Sequence, residues 1–130
     1  MKHTGLLLSL ILTVGPIAHP TQAQEHQGGT GSQLTQRCRL YFEFLGRTGA
    51  GREETFGRDP FGMGYCAGLI RGTLAVAQAL MPNRVCIPTN ATGSQLVWAV
   101  LQHAETEPAV GLEQDTELVL RALENTFRCP

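Results

Sequence analysis

The side chains able to do chemistry here are four cysteines, one histidine and a few paired carboxylates. Cys38, Cys66, Cys86 and Cys129 are separated by 27, 19 and 42 intervening residues. A four-thiolate zinc site uses ligands paired at two to four residues, a spacing this chain lacks. An even count behind an export signal reads instead as two disulfides. His103 is the only histidine beyond residue 26 and lies near Glu105 and Glu107. With the cysteines committed to bridges it has no nucleophile or metal partner, so it is expected to be a surface side chain. Glu53-Glu54 lies in a glycine-rich stretch and reads as a solvated pair, not a tuned acid and base. There is no phosphate loop, no H-E-x-x-H and no G-x-S-x-G. Asn90-Ala-Thr92 is a glycosylation sequon by pattern only. No catalytic residue, cofactor or metal is expected.

The export signal is the first segment. Lys2 and His3 precede the apolar run Gly5–Val14, and Thr21-Gln22-Ala23 supplies small residues at a cleavage site. A membrane anchor needs about 18 or more uninterrupted apolar residues, and Gly15-Pro16 interrupts this run. Residues 1–23 are therefore expected to be a cleaved signal peptide, which places the mature chain in the periplasm. Residues 24–33 contain no bulky apolar side chain and read as a flexible arm. Residues 34–130 form the domain.

Charge narrows the partners. Ten Lys+Arg stand against eleven Asp+Glu, a formal net charge of -1. Such a balance leaves no basic footprint for nucleic acid and no polybasic patch for a membrane surface once the signal is removed. At 130 residues the chain holds one ordinary domain.

Helical periodicity organises that domain. Ser32 is placed to cap a first helix carrying Leu34, Cys38, Tyr41, Phe42 and Leu45, ended by Gly46 and Gly49. Gly46–Gly57 has no sustained period and reads as a loop. Asp59-Pro60 opens a second helix that runs to Pro82. Along it Gly64, Gly68 and Gly72 recur on one face. Each should cost about 1 kcal/mol of helix propensity relative to Ala, so another backbone is expected to pack close there. A membrane dimerisation stripe is the alternative, and Arg71 with its polar flanks argues against it. Thr92-Gly-Ser-Gln95 is a capping box opening a third helix. Trp98 lies off the apolar stripe of that helix and is expected in a secondary cluster, with contact to a partner as the alternative. A fourth helix is expected from about Glu113 to Phe127. No strand-like alternation of useful length is present. The fold class is all-α: a small antiparallel four-helix domain, five at most, held by two disulfides.

Four cysteines allow three pairings. In an up-down bundle Cys38 and Cys66 lie at comparable depth from the end their helices share, and Cys86 and Cys129 fall at the opposite end. Cys38–Cys66 with Cys86–Cys129 is the favoured set.

Several motifs recur together in one known family. Tyr65-Cys-Ala-Gly68-Leu-Ile-Arg-Gly72, Cys86-Ile-Pro88, Thr92-Gly-Ser-Gln95-Leu-Val, Ala122-Leu and Phe127-Arg-Cys129, in this order, resemble the Rap/Tai family of periplasmic type VI secretion immunity proteins. The likeness covers about residues 38–129. The family's H-P near the end of the third helix is here His103 followed by Glu107-Pro108. Its Phe-Pro-Cys ending is here Phe127-Arg128-Cys129 with Pro130 after it. The resemblance implies a helical, disulfide-bonded, often dimeric protein that binds and occludes a peptidoglycan amidase effector. An occluding protein needs no chemistry of its own. The contact surface is expected in Arg47–Phe61, where Arg52, Glu53, Glu54, Phe56 and Arg58 mix charge with an aromatic anchor. A periplasmic stress chaperone on a similar scaffold, exposing apolar surface in acid, is the second reading. An enzyme of unknown chemistry is the third.

Overall fold

The computed structural model describes residues 29–130. The expected signal peptide and residues 24–28 of the arm lie outside the described residues. Five α-helices follow in order: α1 (Gly31–Gly46), α2 (Gly49–Arg58), α3 (Pro60–Leu80), α4 (Gly93–Thr106) and α5 (Asp115–Thr126), with a 3-10 turn at Pro108–Leu112 before the last. No β-strand occurs among the described residues, which hold only the isolated bridges Thr30–Gln114 and Val85–Arg128.

The caps explain where the helices start. Asp59 and Pro60 open α3 as expected, the Asp59 carboxylate accepting from the Gly62 N–H at 2.8 Å. Thr92 and Gln95 form the expected reciprocal box at the head of α4. At α1 the cap is Thr30, not Ser32. Thr30 Oγ1 accepts from the Gln33 N–H at 3.3 Å, and Gln33 Oε1 accepts from the Thr30 N–H at 3.2 Å. Gly31–Gln33, expected at the end of the arm, therefore belong to the first helix. Gly31 is required there, because a Cβ would run into the Val110 carbonyl and the Leu118 side chain.

The expected loop at 46–57 is mostly helix. Low glycine propensity is overcome by packing: Thr55 is buried, Phe56 lies against Phe44 with ring centroids 5.8 Å apart, and Arg58 reaches Glu43 at 3.2 Å. Gly49, at φ +56°, supplies the left-handed residue that turns the chain from α1 into α2. The last helix starts at Asp115, two residues later than expected, because Pro108–Leu112 forms the 3-10 turn.

α1 lies against all four other helices, and Leu34 and Cys38 on it are fully buried. Around them gather Ile70 and Cys66 of α3, Val97 and Val100 of α4, and Leu118, Ala122 and Leu123 of α5. The disulfides are Cys38–Cys66 and Cys86–Cys129, the favoured pairing. They span 28 and 43 residues, and each could stabilise the fold by about 3–4 kcal/mol. Cys38–Cys66 is an interior link between α1 and α3. Cys86–Cys129 ties the C-terminal tail to the segment after α3, next to the Cys86 N–H that donates to the Phe127 carbonyl at 2.8 Å.

A buried carboxylate joins three parts of the chain. Asp115 accepts from the Gly29 N–H at 2.9 Å, from the Thr116 N–H at 2.7 Å and from the Tyr65 hydroxyl. The Asp115 N–H in turn donates to the Gly29 carbonyl at 3.0 Å. At the first turn of α5 the Asp115 carboxylate also complements the helix dipole. The hydrogen bond to Asp115, and then burial, push the Tyr65 phenol above its usual pKa.

Two outcomes test this. Cys86 is exposed, whereas Cys38 and Cys66 are sealed, and thiol exchange needs access. Mild dithiol treatment of the native protein should label Cys86 and Cys129 well before Cys38 and Cys66, as read by alkylation and peptide mass mapping. Tyr65→Phe should cost about 1–2 kcal/mol of stability at neutral pH, measured by denaturant unfolding. Because folding raises the Tyr65 pKa, the stability it adds is whole below about pH 10 and is lost as pH rises past the folded value. The Phe variant should lack that part of the alkaline decline.

Candidate partner-binding surface

Among the described residues no group of three or more His, Cys, Asp or Glu side chains is placed to hold a metal, and no helix is long and apolar enough to cross a membrane. His103 is buried, 7% exposed, contrary to the expected surface position. Its Nδ1 lies 3.4 Å from the Asn125 amide, and Nε2 has no hydrogen-bond partner among the described residues. The signal for this was in the spacing, since His103 follows buried Ala99 and Val100 at four and three residues. The nearby glutamates obscured it. Trp98, expected in a secondary cluster, is half exposed.

The five residues expected to contact a partner all lie on α2, and the structure separates them into two groups. Arg52, Phe56 and Arg58 join side chains of α1 in one cluster. The Arg52 guanidinium sits 4.3 Å from the Phe44 ring centroid, a cation–π contact. Phe44 lies between Tyr41 and Phe56, with centroid distances of 6.3 Å and 5.8 Å. Glu43 is clasped by Arg47 at 2.6 Å and by Arg58 at 3.2 Å. Two arginines on Glu43 and a third, Arg52, on Phe44 leave the cluster cationic. Phe56 remains 51% exposed at its centre. Glu53 and Glu54 are exposed and form no ion pair among the described residues. They stand outside this cluster, as solvated carboxylates do.

This arrangement is suited to binding. An aromatic side chain held by a neighbouring ring loses little freedom when a partner covers it. The arginines are already oriented by Phe44 and Glu43, so their charge is presented in a fixed place. An acidic surface with an apolar recess is the complement.

A second surface was not recognised from sequence. Gly64, Gly68 and Gly72 were expected to meet another backbone, yet a Cβ at any of them would enter open space. The face is uncovered. Beside it an open groove of about 570 Å³ runs between α3 and α5, lined by Gly68, Leu69, Gly72 and Val76 on one side and by Glu117 and Leu120 on the other.

The sequence model of the Rap1a immunity proteins matches residues 30–129, from the α1 cap through the last cysteine. Neither curated proteins nor solved structures give a match. The match spans every described helix and both disulfides, and it agrees with the resemblance carried by the cysteine, glycine and capping motifs. The chain belongs to the family of Rap1a immunity proteins.

Proposed function

We propose that this protein is exported to the periplasm, where it binds and occludes a type VI secretion effector that cleaves peptidoglycan amide bonds. Membership of an immunity family implies a toxin effector as partner. The family match across residues 30–129 is the single observation that carries the reading. The amidase class and the compartment come from the resemblance and from the N-terminal signal pattern of residues 1–23. Two disulfides, one of them exposed, suit an oxidising compartment.

In this reading the mechanism is steric. A rigid helical body covers the effector's substrate groove, and no bond is made or broken by the immunity protein. The cationic aromatic cluster of Arg52, Phe56 and Arg58 supplies the contact, with Phe56 entering an apolar recess and the arginines pairing with carboxylates around it. Glu53 and Glu54 lie at the rim, where charge steers approach more than it holds the complex.

Where an amidase is encoded beside it, the mature protein added to that amidase should abolish peptidoglycan cleavage; where none is, pull-down from periplasm supplies the effector to assay. Replacing Arg52, Phe56 and Arg58 together by Ala should weaken binding on the order of 100-fold. The global unfolding transition should change little, since Thr55 is the one buried residue of α2, and far-ultraviolet circular dichroism of the variant checks that α2 itself stays helical. Unchanged affinity would remove the α2 cluster from the mechanism. Protection of an unrelated client from aggregation in acid, without amidase inhibition, would favour the chaperone reading instead.

A further inference from the structure

We propose that the cleft between α1 and the α2–α3 junction is a carboxylate-recognition site centred on Arg37. On the effector reading of α2, the carboxylate that enters it is an acidic side chain of that partner.

Arg37 is unlike the other arginines. It alone among those of the described residues is half-buried; the rest are exposed. Arg39, Arg47, Arg58, Arg84 and Arg121 all have carboxylate partners, and Arg37 has none among the described residues. A partly desolvated charge without a counter-ion is costly, and an oxygen ligand relieves that cost. The side chain is also held in place. Its stem lies against Gly62, where an added Cβ would come within 3.0 Å of Arg37 Cγ. Its guanidinium carbon sits 4.7 Å from the centroid of the Tyr65 ring, and Tyr65 is anchored by Asp115. A guanidinium seated on a ring keeps its N–H donors for an oxygen, and one already immobilised loses little freedom on binding.

The surroundings favour an anion with two oxygens. Arg37 lines a cleft of about 340 Å³. Gln33, Gln36, Arg37 and Leu40 form one wall, at the spacing of a single face of α1, and Arg58 and Asp59 form the other. Asp59 is the one carboxylate in this lining. It makes no ion pair with Arg37 and is committed to the Gly62 N–H at the head of α3. Two guanidinium groups and two amides against one carboxylate leave the cleft rich in donors. A planar carboxylate offers both its oxygens to an arginine fork, with the amides as further donors.

Arg58 points to the source. It lines the cleft and also belongs to the cationic cluster of α2, where it meets Glu43 at 3.2 Å. A partner seated over Phe56 and Arg58 has the cleft at the edge of its footprint, within reach of an aspartate or glutamate. Docking removes the rest of the water from Arg37. A desolvated pair of this kind governs how long a complex lasts more than how fast it forms.

Two measurements test the site and its occupant separately. The mature protein, without effector, is titrated with glutarate at constant ionic strength while NMR follows the Arg37 Nε–H and the Tyr65 ring; glutaramide is the neutral control. Glutarate should shift both signals saturably, with a midpoint on the order of 10 mM, and glutaramide should not. Arg37→Gln, which keeps most of the stem, should abolish the response at Tyr65. Equal shifts from glutaramide, or an unchanged response in Arg37→Gln, would overturn the carboxylate site. Against an amidase that the wild-type protein inhibits, Arg37→Gln should weaken binding at least tenfold, mainly through faster dissociation, with little change in thermal midpoint. Arg37→Lys should recover only part of this, because an ammonium lacks the fork. The loss should disappear against one effector variant in which a surface Asp or Glu is replaced by its amide. Wild-type affinity in Arg37→Gln, or a loss that no such effector variant absorbs, would remove the effector from the cleft. If the wild-type protein binds no amidase, the effector reading fails and takes this occupant with it, while the glutarate titration still decides the site.

Discussion

Asp115 is the one buried acidic side chain among the described residues, and the way α1, α3 and α5 meet follows from it. A buried carboxylate is tolerated only when its oxygens are satisfied. Here the Gly29 and Thr116 N–H groups and the Tyr65 hydroxyl do so. Meeting that requirement holds the start of α1, the middle of α3 and the start of α5 together. The Gly31 N–H reaching the Glu113 carbonyl at 2.9 Å extends the same clamp by one more bond. Once α1 is seated this way, Leu34 and Cys38 enter the interior and Cys38 comes opposite Cys66.

The remaining helices are held by less specific forces. α4 and α5 close over α1 through Val97, Val100, Leu118 and Leu123, whose burial is apolar and without direction. α2 has almost no such contribution, since Thr55 is its one buried residue. It is held by Phe56 and Arg52 against the Phe44 ring and by Arg58 reaching Glu43. A small helix attached through charged and aromatic side chains presents those same groups to solvent. Its weak burial and its suitability as a contact surface therefore have one cause.

α3 shows the opposite pattern. It is the longest helix among the described residues and carries a single charge, yet it buries only one side of itself. The three glycines are costly for an isolated helix, and no neighbour within the chain uses the closeness they permit. The α2 cluster and the glycine face of α3 lie on different elements of the fold.

Local information in the chain was sufficient for much of this. Apolar period, the Asp59-Pro60 start and the Thr92 box determined the all-α class and two of the caps, and the placement of four cysteines favoured the pairing that the structure shows, because each depends on residues near one another or on a simple up-down layout. The family likeness rests on the same local motifs. Tertiary structure alone decided the rest. It made a helix of Gly49–Arg58 against propensity, moved the first cap to Thr30, drew His103 and Asp115 inside, and left Gly64, Gly68 and Gly72 uncovered. Each of these turns on what lies across space from a residue: Phe44 beneath α2, Tyr65 beside Asp115, nothing over the glycines. Period and propensity register a residue's neighbours along the chain, and the packing partner that overrides them is far away in sequence.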